Sequence, residues 1–450
     1  MSRKGFPGLT AQIKDKLIQQ ALERRLRQAE RNGQPTATPT RQVNDSDPPP
    51  AQHCRFDLHP GYQQIRIIQQ GADRLGIDSP FFKLHEGIAG AMTRIGEQDY
   101  INFASYNYLA FSGHPAVAAA AKEAIDRYGT SVSASRLVSG ERPVHRQLEQ
   151  AIAEIYEVDD AVTFVSGHAA NVTSIGHLFG PQDLILHDEL IHNSVLQGIA
   201  LSGARRLPFA HNDSQALAGI LAQQRSQFQR VLIVLEGIYS MDGDYPDLPR
   251  FVDIKRRYHA FLMVDEAHSF GVMGARGFGL REHCAVASKD VDIWMGTLSK
   301  SLAGCGGYIA GEQALVEHLK YLAPGFLYSV GMPPPVAAAS LAALQCLRRE
   351  PERVAALQER GRYFLAQAQA AGIDTGTSAG FAVVPAITGS SIRAGRLAAA
   401  LFKRGINVQQ ILYPAVPEKS ARLRFFISCE HRFEQLQATV SALAEEMQGL

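Results

Sequence analysis

Several features are scarce in this 450-residue chain, and each scarcity excludes something. There are only five cysteines, Cys54, Cys284, Cys305, Cys346 and Cys429. Their number is odd, they are scattered, and none forms a Cys-x-x-Cys pair. That argues against a disulfide framework and for a reducing compartment. No Cys/His spacing fits zinc, so no metal is expected. There is almost no charge imbalance: 45 Lys and Arg against 44 Asp and Glu give a net charge of +1. No bulk field therefore draws in nucleic acid or an acidic membrane. No apolar run is long enough to cross a bilayer; the Ala-rich run from Ala116 is cut by Lys122 and Glu123. The Lys-, Arg- and Gln-rich N-terminus has no apolar signal core. A cytoplasmic protein without a transmembrane segment is expected. Apolar residues at 46% and charged residues at 20% give an ordinary globular balance, with ample chain to bury a core.

The chain divides by composition. Ile13, Leu17, Ile18, Leu22 and Leu26 recur at helical spacing among charges, which predicts an amphipathic helix over 9–32. Such a helix could pack on its own body or a twin subunit, dock another protein, or touch a surface. Gly-Gln-Pro-Thr-Ala-Thr-Pro-Thr and then Pro48-Pro49-Pro50 mark residues 33–52 as a linker. Residues 1–52 thus form a helix and linker, and 53–115 an N-terminal segment. Beyond about residue 100, short apolar runs alternate with amphipathic stretches. The runs are Ala161–Ser166, Asp183–His187, Val231–Glu236, Phe261–Asp265, Asp292–Thr297 and Gly307–Ala310. This is an α/β pattern with a mostly parallel central sheet, in a large domain over 116–335. A long helical stretch, Val336–Ala371, leads into a smaller α+β C-terminal domain within 336–450.

In such sheets the carboxyl ends of strands collect ligand-binding residues. Ser166, Glu236, Asp265 and Thr297 occupy those ends. In Met263-Val264-Asp265-Glu266-Ala267-His268 a strand delivers a carboxylate and, three residues on, an imidazole. In Gly296-Thr297-Leu298-Ser299-Lys300-Ser301 a lysine follows a strand among hydroxyls and small residues. Desolvation or a cationic neighbour would let that amine act as a Schiff-base nucleophile. Lys300 lies 35 residues after Asp265, with one strand between. Pyridoxal phosphate needs a lysine, an acid for its pyridine nitrogen and a phosphate cup. The turn Ser166-Gly167-His168-Ala169-Ala170-Asn171 can be that cup, where backbone N–H groups and a positive helix end face an anion.

On these residues the chain resembles the α-oxoamine synthases, fold-type I pyridoxal-phosphate enzymes that include 8-amino-7-oxononanoate synthase, 2-amino-3-ketobutyrate ligase, 5-aminolevulinate synthase and serine palmitoyltransferase. The resemblance spans roughly residues 80–445. It is carried by SYNYL at 105–109, SRLVSG at 135–140, SGHAAN at 166–171, HDELIHNS at 187–194, YSMDGD at 239–244, VDEAHS at 264–269, GTLSK at 296–300, FLYSVGMPPP at 326–335 and ARLRFF at 421–426. It implies pyridoxal 5'-phosphate as cofactor, tethered by Lys300. Asp265 would pair with the pyridine nitrogen and His268 with the ring oxygen, while His192 stacks over the ring. Gly167, His168 and Thr297 would hold the phosphate, and Ser240 would lie near the ring oxygen. Asn107 would sit at the mouth, and Arg424, rather than Arg422, would clamp the amino-acid carboxylate. His211-Asn212-Asp213 is read as a loop brace. Ser135, Arg136 and His145 are read as shaping the wall or a dimer contact.

The chain departs from the family at two places. His168 replaces the aromatic after the cup glycine. Ser329 is followed by Val330 where the family often has two adjacent hydroxyls, so at most one side-chain contact reaches the neighbour's phosphate from there. The implied reaction is decarboxylative condensation of an amino acid with an acyl thioester, on coenzyme A or an acyl-carrier protein, to an α-amino ketone in a biosynthetic pathway. The alternatives are another pyridoxal-phosphate reaction, such as transamination, or a non-catalytic partner subunit. A homodimer with shared active sites is expected, with Tyr328 and Ser329 at the neighbour's cofactor.

Overall fold

Strand β7 (Val231–Glu236, VLIVLE) shows how the sequence builds the centre. All six of its residues are buried. Because side chains alternate along a strand, Val231, Ile233 and Leu235 join one apolar cluster while Leu232 and Val234 join another. A strand buried on both faces belongs in the middle of a parallel sheet covered by helices. The computed structural model, which describes residues 49–75 and 81–449, places it there.

The chain order of the strands is β1 (His85–Glu86), β2 (Met92–Ile95), β3 (Gln98–Asn102), β4 (Asp160–Phe164), β5 (Leu184–Asp188), β6 (Arg205–Phe209), β7, β8 (Phe261–Asp265), β9 (Ile293–Thr297), β10 (Gly307–Gly311), β11 (Val383–Ile387), β12 (Ile406–Asn407), β13 (Gln409–Ile411) and β14 (Arg422–Phe426). The large sheet runs β4-β10-β9-β8-β7-β5-β6. Only β10 is antiparallel to its neighbours. The expected α/β class with a mostly parallel sheet is what the structure has.

Differences from the sequence expectation are local. β6 (RRLPF) is a largely exposed edge strand without an apolar run, so periodicity does not reveal it. The helical stretch expected over Val336–Ala371 is two helices, Pro334–Arg349 and Pro351–Ala370, parted at Glu350. Pro351 has no N–H to continue the first helix, yet suits the first turn of the second. The helix expected over 9–32 and most of the linker lie outside the described residues. No described helix is long and apolar enough to cross a membrane.

The C-terminal part holds a three-stranded antiparallel sheet, β11-β14-β13. β12 instead pairs in parallel with β3, and Asn407 Nδ2 donates to Asn102 Oδ1 at 3.0 Å. The N-terminal segment is thereby stitched to the C-terminal region. At the large sheet, β7 and β8 end in register with Glu236 opposite Asp265, and Asp265 lies opposite Met295 of β9. One edge of the sheet therefore presents the β7, β8 and β9 termini side by side, with that of β4 beyond the start of β10, facing the loop and strand that carry Ser240 and Arg424.

Candidate active site

β4 ends at Phe164, and helix α1 (Gly167–Leu178) starts three residues later. Ser166 caps it: Ala169 N–H donates to Ser166 Oγ at 2.9 Å. The N–H groups of Gly167 and His168 precede the first full turn, so no helical carbonyl accepts them. The turn is cut close to its neighbours. A Cβ on Gly167 would stand 3.1 Å from Thr297 Oγ1, and one on Gly307 would stand 2.5 Å from Gly167 Cα. Gly307 leaves no room for a side chain against the cup backbone, and a Cβ at 167 would press on Thr297, so glycines let β9 and β10 close on this anion-suited helix end. The Thr297 hydroxyl donates to Gly306 O at 2.9 Å and accepts Ser299 N–H at 3.2 Å, which ties the lysine loop to the cup.

Asp265, buried at the end of β8, receives Ala267 N–H on Oδ1 and Asn171 Nδ2 on Oδ2, both at 2.9 Å. Asn171 Nδ2 also donates to Ser194 Oγ at 2.8 Å, and Ser194 Oγ lies 2.7 Å from His192 Nδ1. His192 caps helix α2 (Asn193–Ser202), its Nδ1 accepting Ser194 N–H at 3.2 Å. With Nδ1 accepting, the ring proton sits on Nε2. Burial holds this imidazole below its ordinary pKa, so it is neutral near pH 7. One polar chain thus fixes the acid and the ring expected to cover the cofactor.

His268 is buried, and burial drives its pKa down, with the cations Lys300 and Arg424 adding to the shift. Its Nδ1 lies 2.8 Å from the Tyr108 hydroxyl. Burial raises Tyr108 well above an ordinary phenol, so the hydroxyl keeps its proton and donates it to Nδ1. That leaves Nε2–H as the donor at the cavity. Lys300 lies 5.6 Å from the centre of the Tyr106 ring. Burial pushes its ammonium down to about 8, while the nearby Asp265 carboxylate partly restores it.

β14 presents Arg422 and Arg424 on one face, two residues apart. Arg422 is committed: its Nη1 meets Asp242 Oδ1 at 2.5 Å and Met241 O at 2.9 Å. Arg424 Nη1 donates to Ser240 O at 3.0 Å, but its buried Nε has no partner. The two arginines anchor the loop carrying Ser240, and Arg424 keeps a buried Nε–H without a protein partner. The same loop is held from the other side by His211, which bridges Asp188 Oδ1 and Asp244 Oδ2 at 2.9 Å each.

These groups line one cavity of about 450 Å³, bounded by Ser166, Gly167, His168, Asn171, His192, Glu236, Ser240, Asp265, His268, Thr297, Lys300 and Arg424 among others. Two expected residues stand outside this cavity: Asn107, expected at its mouth, and Ser329, expected at a neighbour's cofactor. Asn107 lines a different cavity, and its side-chain amide is spent on Ala89 O at 2.8 Å and Ser112 Oγ at 2.7 Å. The Ser329 hydroxyl donates to Val330 O at 3.2 Å and lies outside the cavity. Three positions that the structure brings to the cavity or its supporting contacts carry no assigned role from sequence: Asn171, Tyr108 and Glu236. The first two lie inside quoted motifs, and Glu236 is an acid closing an apolar strand.

The cavity suits pyridoxal 5'-phosphate on its own chemistry. It has a glycine-built helix N-terminus for a phosphate, a buried carboxylate for a ring nitrogen and a lysine with a depressed pKa. Three buried polar atoms of its lining residues, Arg424 Nε, Glu236 Oε1 and Asn171 Oδ1, are without protein hydrogen-bond partners.

The family model for class I and II aminotransferases matches residues 98–443. Among curated relatives, the 8-amino-7-oxononanoate synthase of Geobacter sulfurreducens is 40% identical over 366 residues, covering 80% of this chain and 91% of the relative. That of Fervidobacterium nodosum is 38% identical over 376 residues, covering 82% and 95%. Among solved structures, serine palmitoyltransferase of Sphingomonas wittichii superposes with a TM-score of 0.83 at 28% identity, covering 86% of this chain and 98% of that one. A serine palmitoyltransferase holding pyridoxal phosphate as its internal aldimine gives a TM-score of 0.83 at 27% identity, covering 87% and 99%.

Proposed function

The chain belongs to the class I and II aminotransferase family and, within it, to the α-oxoamine synthases, and on that premise we propose the part each cavity residue plays. It is a pyridoxal-phosphate-dependent acyltransferase that condenses an amino acid with an acyl thioester to an α-oxoamine. When bound, the cofactor withdraws electrons from the amino-acid α-carbon.

Lys300 holds the cofactor, Asp265 its ring nitrogen, and His268 Nε2–H its ring oxygen, with Ser240 nearby. Gly167 and His168 N–H groups receive the phosphate, with Thr297 completing the cup. Arg424 binds the substrate carboxylate through Nε and its free terminal N–H groups, which sets one α-carbon bond in the reactive orientation. Lys300, with a pKa near 8, is partly neutral at physiological pH and takes the α-proton. His192 covers the open face and excludes water. The α-carbon attacks the thioester carbonyl, the C–S bond breaks and the thiol leaves. The β-keto acid then loses CO2, and Lys300 returns a proton to the same carbon.

The observation that carries this reading is the convergence of Lys300, Asp265, His268, His192 and Arg424 on one cavity from four separate segments. The test is mass spectrometry of products from a matrix of glycine, alanine and serine against free and carrier-bound acyl thioesters. Stoichiometric CO2, free thiol and an amino ketone are expected; a keto acid without CO2 would contradict the assignment.

Residues 116–335 are proposed as the cofactor-binding domain and 336–450 as the smaller one. A homodimer is proposed in which Ser329 and Asn107 serve a second copy's cavity. It is supported by their position outside their own cavity and by the exposed apolar surface of Tyr328 and Val330 beside Ser329. A carrier-protein donor that engages residues 1–52, and a cytoplasmic location, complete the reading. Unchanged rates with every carrier-bound donor after deletion of 1–52 would count against that donor.

A further inference from the structure

Glu236 closes β7 inside the cavity, and the mechanism above does not use it. It is buried, with 3% of its surface exposed. Ser240 N–H donates to its Oε2 at 3.3 Å, and its Oε1 meets no protein donor. Directly across the sheet, in register, stands Asp265. The two acids are unequally served. Asp265 has a donor on each oxygen, at 2.9 Å, one of them the amide of Asn171. Glu236, which also lines the cavity, has one longer hydrogen bond, the backbone N–H of His192 near its carboxylate, and a buried oxygen that no protein group hydrogen-bonds. Two neighbouring acids whose surroundings differ in this way divide the roles between them: one holds charge, the other a proton.

We propose that Glu236 stands in the cavity as an un-ionised carboxylic acid, a hydrogen-bond donor that positions a bound oxygen and leaves the negative charge of the site to Asp265. Burial raises Glu236 well above the ordinary carboxylate range and nearby Asp265 adds to the shift, while the backbone N–H of His192 and the Lys300 cation oppose it. The neutral phenol of Tyr239 lies on the same strand-end turn. A second negative charge here would compete with Asp265 for the cationic groups. A proton on Glu236 instead turns an unpaired acceptor into a donor. Its acceptor is an oxygen of the bound cofactor or of the acyl group. Glu236 is thus a positioning residue, and its placement among reactants rests on the functional reading above.

The protonation state can be read without cofactor. Infrared spectra of the cofactor-free protein at pH 7 are expected to show a deuterium-sensitive carbonyl band of an un-ionised carboxylic acid that is missing from Glu236→Gln. Glu266, a second buried acid pushed up to about 8, contributes equally to both proteins and cancels in the difference. Spectra without that difference would overturn the proposal, whatever the fate of the reaction assignment. With cofactor, Glu236→Ala should lose about tenfold in kcat/KM, the scale of one hydrogen bond, and Glu236→Gln, which keeps a donor, should recover most of that loss. A loss in cofactor affinity points to a cofactor oxygen, and a loss in thioester KM to the acyl oxygen. Equal failure of the Gln and Ala variants would mean that an ionised carboxylate is required, and would also overturn the proposal.

Discussion

His211 lets the electrostatics of the loop brace be worked through. Its ring is held between Asp188 and Asp244, 2.9 Å from each, with 19% of the side chain exposed. Burial alone would lower its pKa, but the hydrogen bonds and charges of the two aspartates outweigh it and push it up to about 10. Because the folded pKa exceeds the unfolded one, the linked stability is fully present below pH 6.5. It is lost as pH rises towards 10. At about 1.4 kcal/mol per pH unit, the full effect is at most about 5 kcal/mol, and solvent at the exposed edge reduces it to about 3 kcal/mol. Breaking a buried ion pair by removing one partner costs a similar amount. His211→Gln removes the titrating charge and leaves two carboxylates facing one neutral amide. Urea unfolding of both proteins between pH 6 and 10 is the assay. The variant should be about 3 kcal/mol less stable at pH 6.5, and the gap should close steadily by pH 10. A gap that stays constant across that range would refute the charged clamp. Because Asp244 ends the loop that Arg424 grips at Ser240, the variant should also raise KM for the amino acid more than it lowers kcat.

Arg424→Gln should raise KM for the amino acid by about a hundredfold or more, the scale of a charge-assisted pair, while leaving thioester KM nearly unmoved; steady-state kinetics with both substrates checks this. Tyr108→Phe removes the donor to His268 Nδ1, so the imidazole can hold its proton on either nitrogen. About tenfold weaker cofactor binding and a shifted cofactor absorption maximum are expected, and an unaltered spectrum and affinity would show that His268 orients itself.

Much of this site is legible in the chain because its groups sit at abrupt ends of apolar runs. VLIVLE and FLMVD end in acids, AVTFVS ends in a glycine turn, and GTLSK follows a strand. Buried parallel strands need such runs, and their carboxyl ends gather in space whatever their separation in sequence. What is not legible depends on long-range pairing. Tyr108 meets His268 across 160 positions, and Asn171 meets Asp265 across 94. No local pattern announces either contact. The Asn107 motif points to the cavity mouth, yet its amide is consumed by Ala89 and Ser112 and the residue lines a different cavity, a bracing that the sequence does not reveal. β6 escapes notice because an exposed edge needs no apolar run. Glu236 shows the converse limit. Its position is plain from sequence, but its role follows only from the unequal donors on two facing acids.

The central claim is that Lys300, beside Asp265, is the amine that carries the cofactor. Purified protein should be mixed with pyridoxal 5'-phosphate, reduced with borohydride, digested and sequenced by mass spectrometry. The expected result is a visible absorbance that borohydride abolishes, with the added mass on Lys300 alone and absent from Lys300→Ala. An adduct spread over surface lysines, or no adduct at residue 300, would contradict the account.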